Sequence, residues 1–297
     1  MIQIKKAVKS FDGFRALDGL DMAVPDGSVY GLVGPNGAGK STVIRHITGI
    51  YRQDSGEIQI KGKPAFENTE ARSVTAYIPD EIYYFTQASI KEMMNFYRGI
   101  YPRFDMERFN KLREVFSLDE KMPLRRMSRG MQKQAAFWLA ISMRPELLVL
   151  DEPVDGLDPV MRRQIWSLVM SDVAENGTTV LISSHNLREL EDVCDRVGII
   201  NHGKMMLERD LDDLHGNIVK LQTALPEGGK LPEELEILHS GGEGRLRTLI
   251  VRGTAEKITN IMSAADPLFM DILPLSLEEI FIYELGGEDY VVKDIVL

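Results

Sequence analysis

Residues 29–41 constrain this chain more than any other stretch. Val29-Tyr30-Gly31-Leu32-Val33 has the length and apolar content of a buried strand, and it runs straight into Gly34-Pro35-Asn36-Gly37-Ala38-Gly39-Lys40-Ser41. Ser41 to Ile47 continues with the character of a helix. A strand, a Gly-rich turn ending in Lys-Ser and a helix together form the context a phosphate-binding loop requires. Glycine at 34, 37 and 39 allows close backbone approach and angles that a Cβ forbids. Successive N–H groups then converge, and the helix N-terminus adds about half a positive charge. A Gly-rich turn carrying a surface lysine is the plainer alternative, and the flanking elements argue against it. Gly34, Asn36, Gly37, Gly39, Lys40, Ser41 and Thr42 are therefore candidate nucleotide ligands, with Lys40 suited to the β- and γ-phosphates and the Ser41 hydroxyl to Mg²⁺.

The 297 residues suffice for one large α/β domain and a smaller one. A formal net charge of −10 argues against non-specific nucleic-acid binding, because the phosphate backbone is repelled on average. Cys194 is the only cysteine, which excludes an intrachain disulfide and points to a reducing compartment. No run approaches the ~20 apolar residues of a membrane span, and the N-terminus lacks a signal-peptide pattern.

Residues 2–30 read as short strands, with turns at Asp12-Gly13 and Pro25-Asp26-Gly27. Helical periodicity runs from Ile90 to Phe116, interrupted at Pro102, and returns from Arg129 to Ser142. Leu147–Leu150 and Thr179–Ile182 read as buried strands flanking a helix from Pro159 to Glu175, which is the βαβ signature of a parallel sheet. After about residue 210 the pattern changes to a small α+β region. It contains one strand at Leu246–Arg252, a helix near Ala255–Ala264 and a terminal amphipathic stretch at Leu277–Tyr283. The expected division is 1–210, with a helical subdomain at about 81–142, and 211–297.

Asp151 and Glu152 close the Leu147–Leu150 strand, where ligands sit in open parallel sheets. Asp151 suits Mg²⁺ held through water, and Glu152 suits polarising an attacking water. Two acids after a strand are common; their weight comes from combination with Lys40.

Further motifs carry a family resemblance over roughly residues 1–210. Met127-Ser128-Arg129-Gly130-Met131-Gln132 is similar to the signature motif of the ATPase subunits of ABC transporters, and Gly156-Leu157-Asp158-Pro159 resembles their D-loop. Ser183-Ser184-His185 resembles the switch histidine, and Phe11 matches the aromatic that stacks on adenine, with Tyr30 as its rival. Asp80, in Tyr77-Ile78-Pro79-Asp80, falls where the family has the glutamine of its Q-loop.

The resemblance implies an ABC-ATPase fold: an antiparallel N-terminal β part, a RecA-like parallel core sheet and a helical subdomain, here with a C-terminal α+β appendage. It also implies an ATPase using ATP and Mg²⁺, with Glu152 and His185 catalytic and with Ser41, Asp151 and Asp80 at the metal. Ser128 and the Gly130 N–H would meet the γ-phosphate held by an opposing chain, and Asp158 would brace that chain's loop. The implied partners are a second ATPase chain, identical or related, and an integral membrane permease, at the inner face of the cell membrane, with no nucleic acid.

Two departures stand out. Asp80 puts a carboxylate where the family has an amide, and Arg129 replaces a glycine, either adding a cation near the γ-phosphate or pointing to solvent. Between Asp80 and Ser128 the aromatic and Met residues serve mainly as subdomain core, with Tyr83, Tyr84 and Phe85 left to face a permease. The C-terminal Leu277-Glu278-Glu279-Ile280-Phe281 resembles exporter-type subunits that pair with separate ABC-2-like permeases. A soluble ABC-class ATPase on nucleic acid or ribosomes is the alternative. A phosphate-loop kinase or small GTPase is disfavoured by Met127-Ser128-Arg129-Gly130 and His185.

Overall fold

A computed structural model describes residues 1–85, 87–211, 213, 218–226, 229–241, 246–263, 265–273 and 275–279. The chain divides into two compact units. One comprises Met1–Asn186 with Val193–Glu208; the other comprises Leu187–Asp192 with the described residues from Arg209 on.

The first unit begins with β1 (Ile2–Phe11) and β2 (Phe14–Val24), paired antiparallel across the Asp12-Gly13 turn. β4 (Ser55–Ile60) and the two-residue β5 (Lys63–Pro64) extend this sheet in the order β2-β1-β4-β5. The expectation of short strands is corrected here, since β1 and β2 run for 10 and 11 residues. Register shifts between Ile4 and Ala7 and between Lys9 and Ser10, with Lys6 at φ 47°, break the strict two-residue alternation. A bulged strand therefore reads in sequence as shorter pieces.

β3 (Val29–Val33) is buried along its whole length at the middle of a six-stranded sheet, order β10-β9-β3-β8-β7-β6. β6 (Thr75–Ile78), β7 (Leu147–Asp151), β8 (Thr179–Ser184), β3 and β9 (Arg196–Asn201) are mutually parallel, and β10 (Lys204–Asp210) is the edge strand beside β9. Parallel strands buried on both faces need continuous apolar runs, which is why Leu147–Leu150 and Thr179–Ile182 were readable. α1 (Lys40–Ile47) follows β3 and packs Val43, Ile44 and Ile47 into one core with Ile4, Leu20 and Ile58 of the antiparallel sheet and Val149 and Leu181 of the parallel one.

After β6 the chain forms α3 (Ile90–Ile100), α4 (Met106–Phe116) and α5 (Arg129–Ser142), following the short α2 (Thr69–Ser73). Each helix start is fixed by its cap. Ser89 and Glu92 make a reciprocal capping box, Asp105 accepts from the Arg108 N–H, and Ser128 accepts from the Met131 N–H. Trp138 stacks on Phe109 with ring centroids 4.7 Å apart and donates its Nε1–H to the Phe109 carbonyl, joining α5 to α4. Met93, Met94, Phe109 and Phe116 are core, as expected. Tyr83 and Phe85 are 82% and 59% exposed, whereas Tyr84 is half-buried and lines a small cavity. α6 (Pro159–Asn176) starts on an Asp158 cap with proline in its first turn and ends at Gly177 in the left-handed region.

The second unit contains α7 (Leu187–Glu191) and a four-stranded antiparallel sheet, order β12-β13-β11-β14. Its strands are β11 (Ile218–Ala224), β12 (Glu236–Gly241), β13 (Leu246–Arg252) and β14 (Phe269–Leu273). α8 (Ala255–Ser263) packs Ile258 and Met262 against Leu221, Leu249 and Val251. The expected strand Leu246–Arg252 is present, but four strands replace the single one anticipated. β12 and β14 are edge strands with mostly exposed or half-buried side chains, so neither carries the apolar signal of a buried strand. The terminal stretch 277–283 lies largely outside the described residues.

Candidate functional site

The loop between β3 and α1 is held by contacts that a side chain would break. A Cβ on Gly34 would stand 2.2 Å from the Ile200 carbonyl oxygen. Gly39 has φ 115°, and a Cβ there would meet the Ala16 carbonyl oxygen at 2.9 Å. The loop thus packs directly on the backbone of β9 and β2 and borders a cleft.

That cleft, of about 470 Å³, is lined by Phe11, Asn36, Gly37, Gly39, Lys40, Ser41, Thr42, Asp80, Asp151 and Glu152. Ten of the expected site residues thus converge from four separate segments of the chain. Lys40 is buried, donates from Nζ to the Gly34 carbonyl at 2.6 Å, and lies 3.8 Å from Glu152 Oε1. Burial lowers its pKa, and the Glu152 and Asp151 carboxylates work against that shift. The Ser41 hydroxyl stands 3.5 Å from Asp151 Oδ1, which also accepts a hydrogen bond from the Ser183 hydroxyl. Two oxygen donors facing each other at the mouth of a phosphate loop match the preferences of a hard cation such as Mg²⁺.

Glu152 follows the end of β7 with φ 45°, in the left-handed region that a residue with a Cβ enters at a cost of about 1–3 kcal/mol. Its N–H donates to the Ser183 carbonyl, and its carbonyl accepts from Lys133 Nζ at 2.6 Å. Its carboxylate reaches His185, with Oε2 at 2.9 Å from Nδ1. Burial raises the Glu152 pKa above the usual carboxylate value, and His185 and Lys40 oppose the rise. A carboxylate made more basic, held between a lysine and a histidine, can take a proton from water.

Phe11 is 37% exposed and packs on Tyr51, ring centroids 5.3 Å apart, at the edge of the cleft. Tyr30, its rival, is fully buried, and its hydroxyl donates to Glu208. A Cβ at Gly198 would fall 2.0 Å from that hydroxyl, so the neighbouring strand is shaped to seat the ring.

Ser128, Gly130 and Asp158 do not line this cleft. Ser128 and Gly130 form the start of α5, and Asp158 uses its carboxylate to cap α6 through the Val160 and Met161 N–H groups. A second cleft of about 560 Å³ lies against the α5 start and is lined by Asp80, Tyr83, Arg129, Lys133, Asp155 and Gly156, among others. Arg129 is exposed and faces this cleft.

Sequence reading missed Lys133, Tyr51, Phe14 and Arg45, the last three lining the nucleotide cleft. Lys133 carried a faint signal: it stands four residues after Arg129, on the same helix face, just before the apolar run Ala135–Ala140. Tyr51 carried none, because its place beside Phe11 depends on the turn after α1.

Comparison with known proteins converges on the same reading. The family profile described as "ABC transporter" matches residues 17–155. The ABC transporter ATP-binding protein YtrB of Bacillus subtilis is 31% identical over 289 residues, covering 97% of this chain and 99% of that protein. The daunorubicin/doxorubicin resistance ATP-binding protein DrrA of Streptomyces peucetius is 34% identical over 223 residues, covering 73% of this chain and 67% of DrrA. A solved structure described as the ATP binding subunit of an ABC transporter superposes with a TM-score of 0.68 at 27% identity, covering 72% of this chain and 92% of that one. The phosphate loop, the acidic strand end and the signature segment, read with these relatives, establish that this chain belongs to the ABC transporter ATP-binding proteins, ATPases that hydrolyse ATP to energise transport.

Proposed function

We propose that this chain works as one of two ATPase chains that close over two ATP molecules and thereby drive a separate membrane permease of the exporter type. The observation that carries the reading is the convergence of Lys40, Ser41, Asp151, Glu152 and Phe11 on one cleft, with His185 touching Glu152. The loop N–H groups and Lys40 would bind the β- and γ-phosphates, while Phe11, backed by Tyr51, would stack on the base. Ser41 and Asp151 would hold Mg²⁺, which would neutralise phosphate charge when bound; Asp80, which also lines the cleft, would reach it directly or through water. Glu152 orients the attacking water and accepts its proton, and His185 keeps that carboxylate aimed and approaches the γ-phosphate.

Ser128 and Gly130 stand at the N-terminus of α5, away from the chain's own nucleotide cleft, and the resemblance gives them to the γ-phosphate of an opposing chain. Asp158 would brace that chain's loop. Each site is then complete only in a dimer, identical or mixed, and hydrolysis loosens the closure. Among the described residues no helix is long and apolar enough to cross a membrane. Tyr83 and Phe85 supply exposed aromatic surface for a permease. The drug-resistance description of DrrA supports export as the direction.

Detergent extraction of membranes and identification of the proteins that co-purify test this assembly. Two ATPase chains with a polytopic membrane protein are expected. Recovery instead in a salt-sensitive association with ribosomes or nucleic acid contradicts the transporter reading and favours the soluble alternative.

A further inference from the structure

Lys133 is one of the few charged side chains buried in the described structure, and it does not line the phosphate-loop cleft. A buried ammonium needs compensation from close partners, because desolvation costs several kcal/mol. Lys133 finds two. Its Nζ donates to the Glu152 main-chain carbonyl at 2.6 Å, and it lies 3.7 Å from Asp80 Oδ1.

The carbonyl it grips belongs to a residue in the left-handed region. Left-handed backbone at a residue with a side chain persists only where its surroundings over-determine it. Here the Glu152 N–H is fixed by the Ser183 carbonyl and the Glu152 carbonyl by Lys133, so the peptide planes on both sides are held. Those planes set the direction of the Glu152 side chain, whose carboxylate must meet both Lys40 and His185.

We infer that Lys133 is a positioning residue for Glu152, and that Asp80 is its counter-ion. The inference rests on the reading of Glu152 as the residue that activates water. It accounts for a departure noted in the sequence: the carboxylate at Asp80 is matched by an ammonium on α5, the helix that begins with Ser128-Arg129-Gly130. Through this pair, the loop after β6 and the signature helix are both tied to the backbone that aims the general base. Displacement of either element moves Glu152 relative to the phosphate.

Steady-state ATP hydrolysis by the full chain, with kcat and KM separated, tests the inference in Lys133→Met, Lys133→Gln, Asp80→Asn and the paired variants. Lys133→Met is expected to lower kcat by about ten- to a hundredfold, the scale of losing a positioned catalytic group. KM for ATP should stay within about twofold, since the phosphate loop is untouched. Lys133→Gln keeps a donor for the Glu152 carbonyl and should recover part of kcat. Asp80→Asn should lower kcat and add little to the kcat loss of Lys133→Met, because both act through one link, while any change in KM reports the separate place of Asp80 beside the metal.

Wild-type kcat in Lys133→Met, or effects of Asp80→Asn and Lys133→Met that add in full, would overturn the inference. If Lys133→Met does not fold, the Lys133→Gln and Asp80→Asn cycle decides on the same criterion of non-additivity. Glu152→Gln separates the two levels. Its loss of turnover beside a fully active Lys133→Met rejects only the positioning role, whereas turnover surviving in Glu152→Gln overturns the underlying reading as well.

Discussion

Glu152 sits at a point where burial and charge pull in opposite directions. Burial raises its pKa above the ordinary 4.5, with His185 and Lys40 only partly offsetting the rise. As a base it must be ionised, so kcat should fall as pH drops through that raised value, with an acid limb above pH 4.5. The stability consequence has the opposite sign from a salt-bridged carboxylate. The folded chain holds the Glu152 proton more tightly than the unfolded one, so ionisation costs stability as pH rises from 4.5 through the folded value. Glu152→Gln should therefore raise Tm at neutral pH, and the gain should vanish below pH 4.5. A Tm gain of equal size at acid and neutral pH would contradict this.

Most of the residue-level chemistry was legible in sequence because it lies in contiguous motifs. Gly34 to Thr42, Asp151-Glu152 and Ser183–His185 each occupy a single strand end or loop, and βαβ topology brings such ends to one edge of the sheet. Lys133 and Tyr51 were not legible, since each meets the site through a long-range contact that no local pattern encodes. The choice between Phe11 and Tyr30 likewise needed packing, because both are aromatics near the loop and only burial separates them.

At the scale of elements, caps and continuous apolar runs made β3, β7 and β8 and the helices α1, α5 and α6 readable to within a residue or two, as α5 at Arg129–Ser142 illustrates, whereas β6 and β9 of the same sheet were not anticipated. Irregular alternation accounts for several of the failures. β1 and β2 are bulged, and β12 and β14 are exposed edge strands, so neither pair presents clean alternation. Within the helical subdomain, α4 and α5 depend on the Trp138 indole, which is fully buried against Phe109 and hydrogen-bonded to its carbonyl. Trp138→Ala removes both the stack and the buried donor and should cost about 3–5 kcal/mol. Denaturant unfolding measures it; a loss below about 1 kcal/mol would mean that α4 and α5 are held chiefly by other contacts.

For the whole molecule, the two units have distinct tasks to explain. The first carries every candidate nucleotide residue, and the second has its own small core around Leu221, Leu249 and Ile258. The phosphate loop fixes a nucleotide in one chain, yet the start of α5 lies outside that cleft. This separation is what a site shared between two chains requires, and it makes Glu152 the residue on which binding and chemistry part company. ATP turnover and ATP binding measured together on Glu152→Gln test that claim most directly. The account predicts wild-type-like affinity for ATP with hydrolysis reduced by at least about a hundredfold, the scale of losing a general base. Unchanged turnover in Glu152→Gln would contradict it.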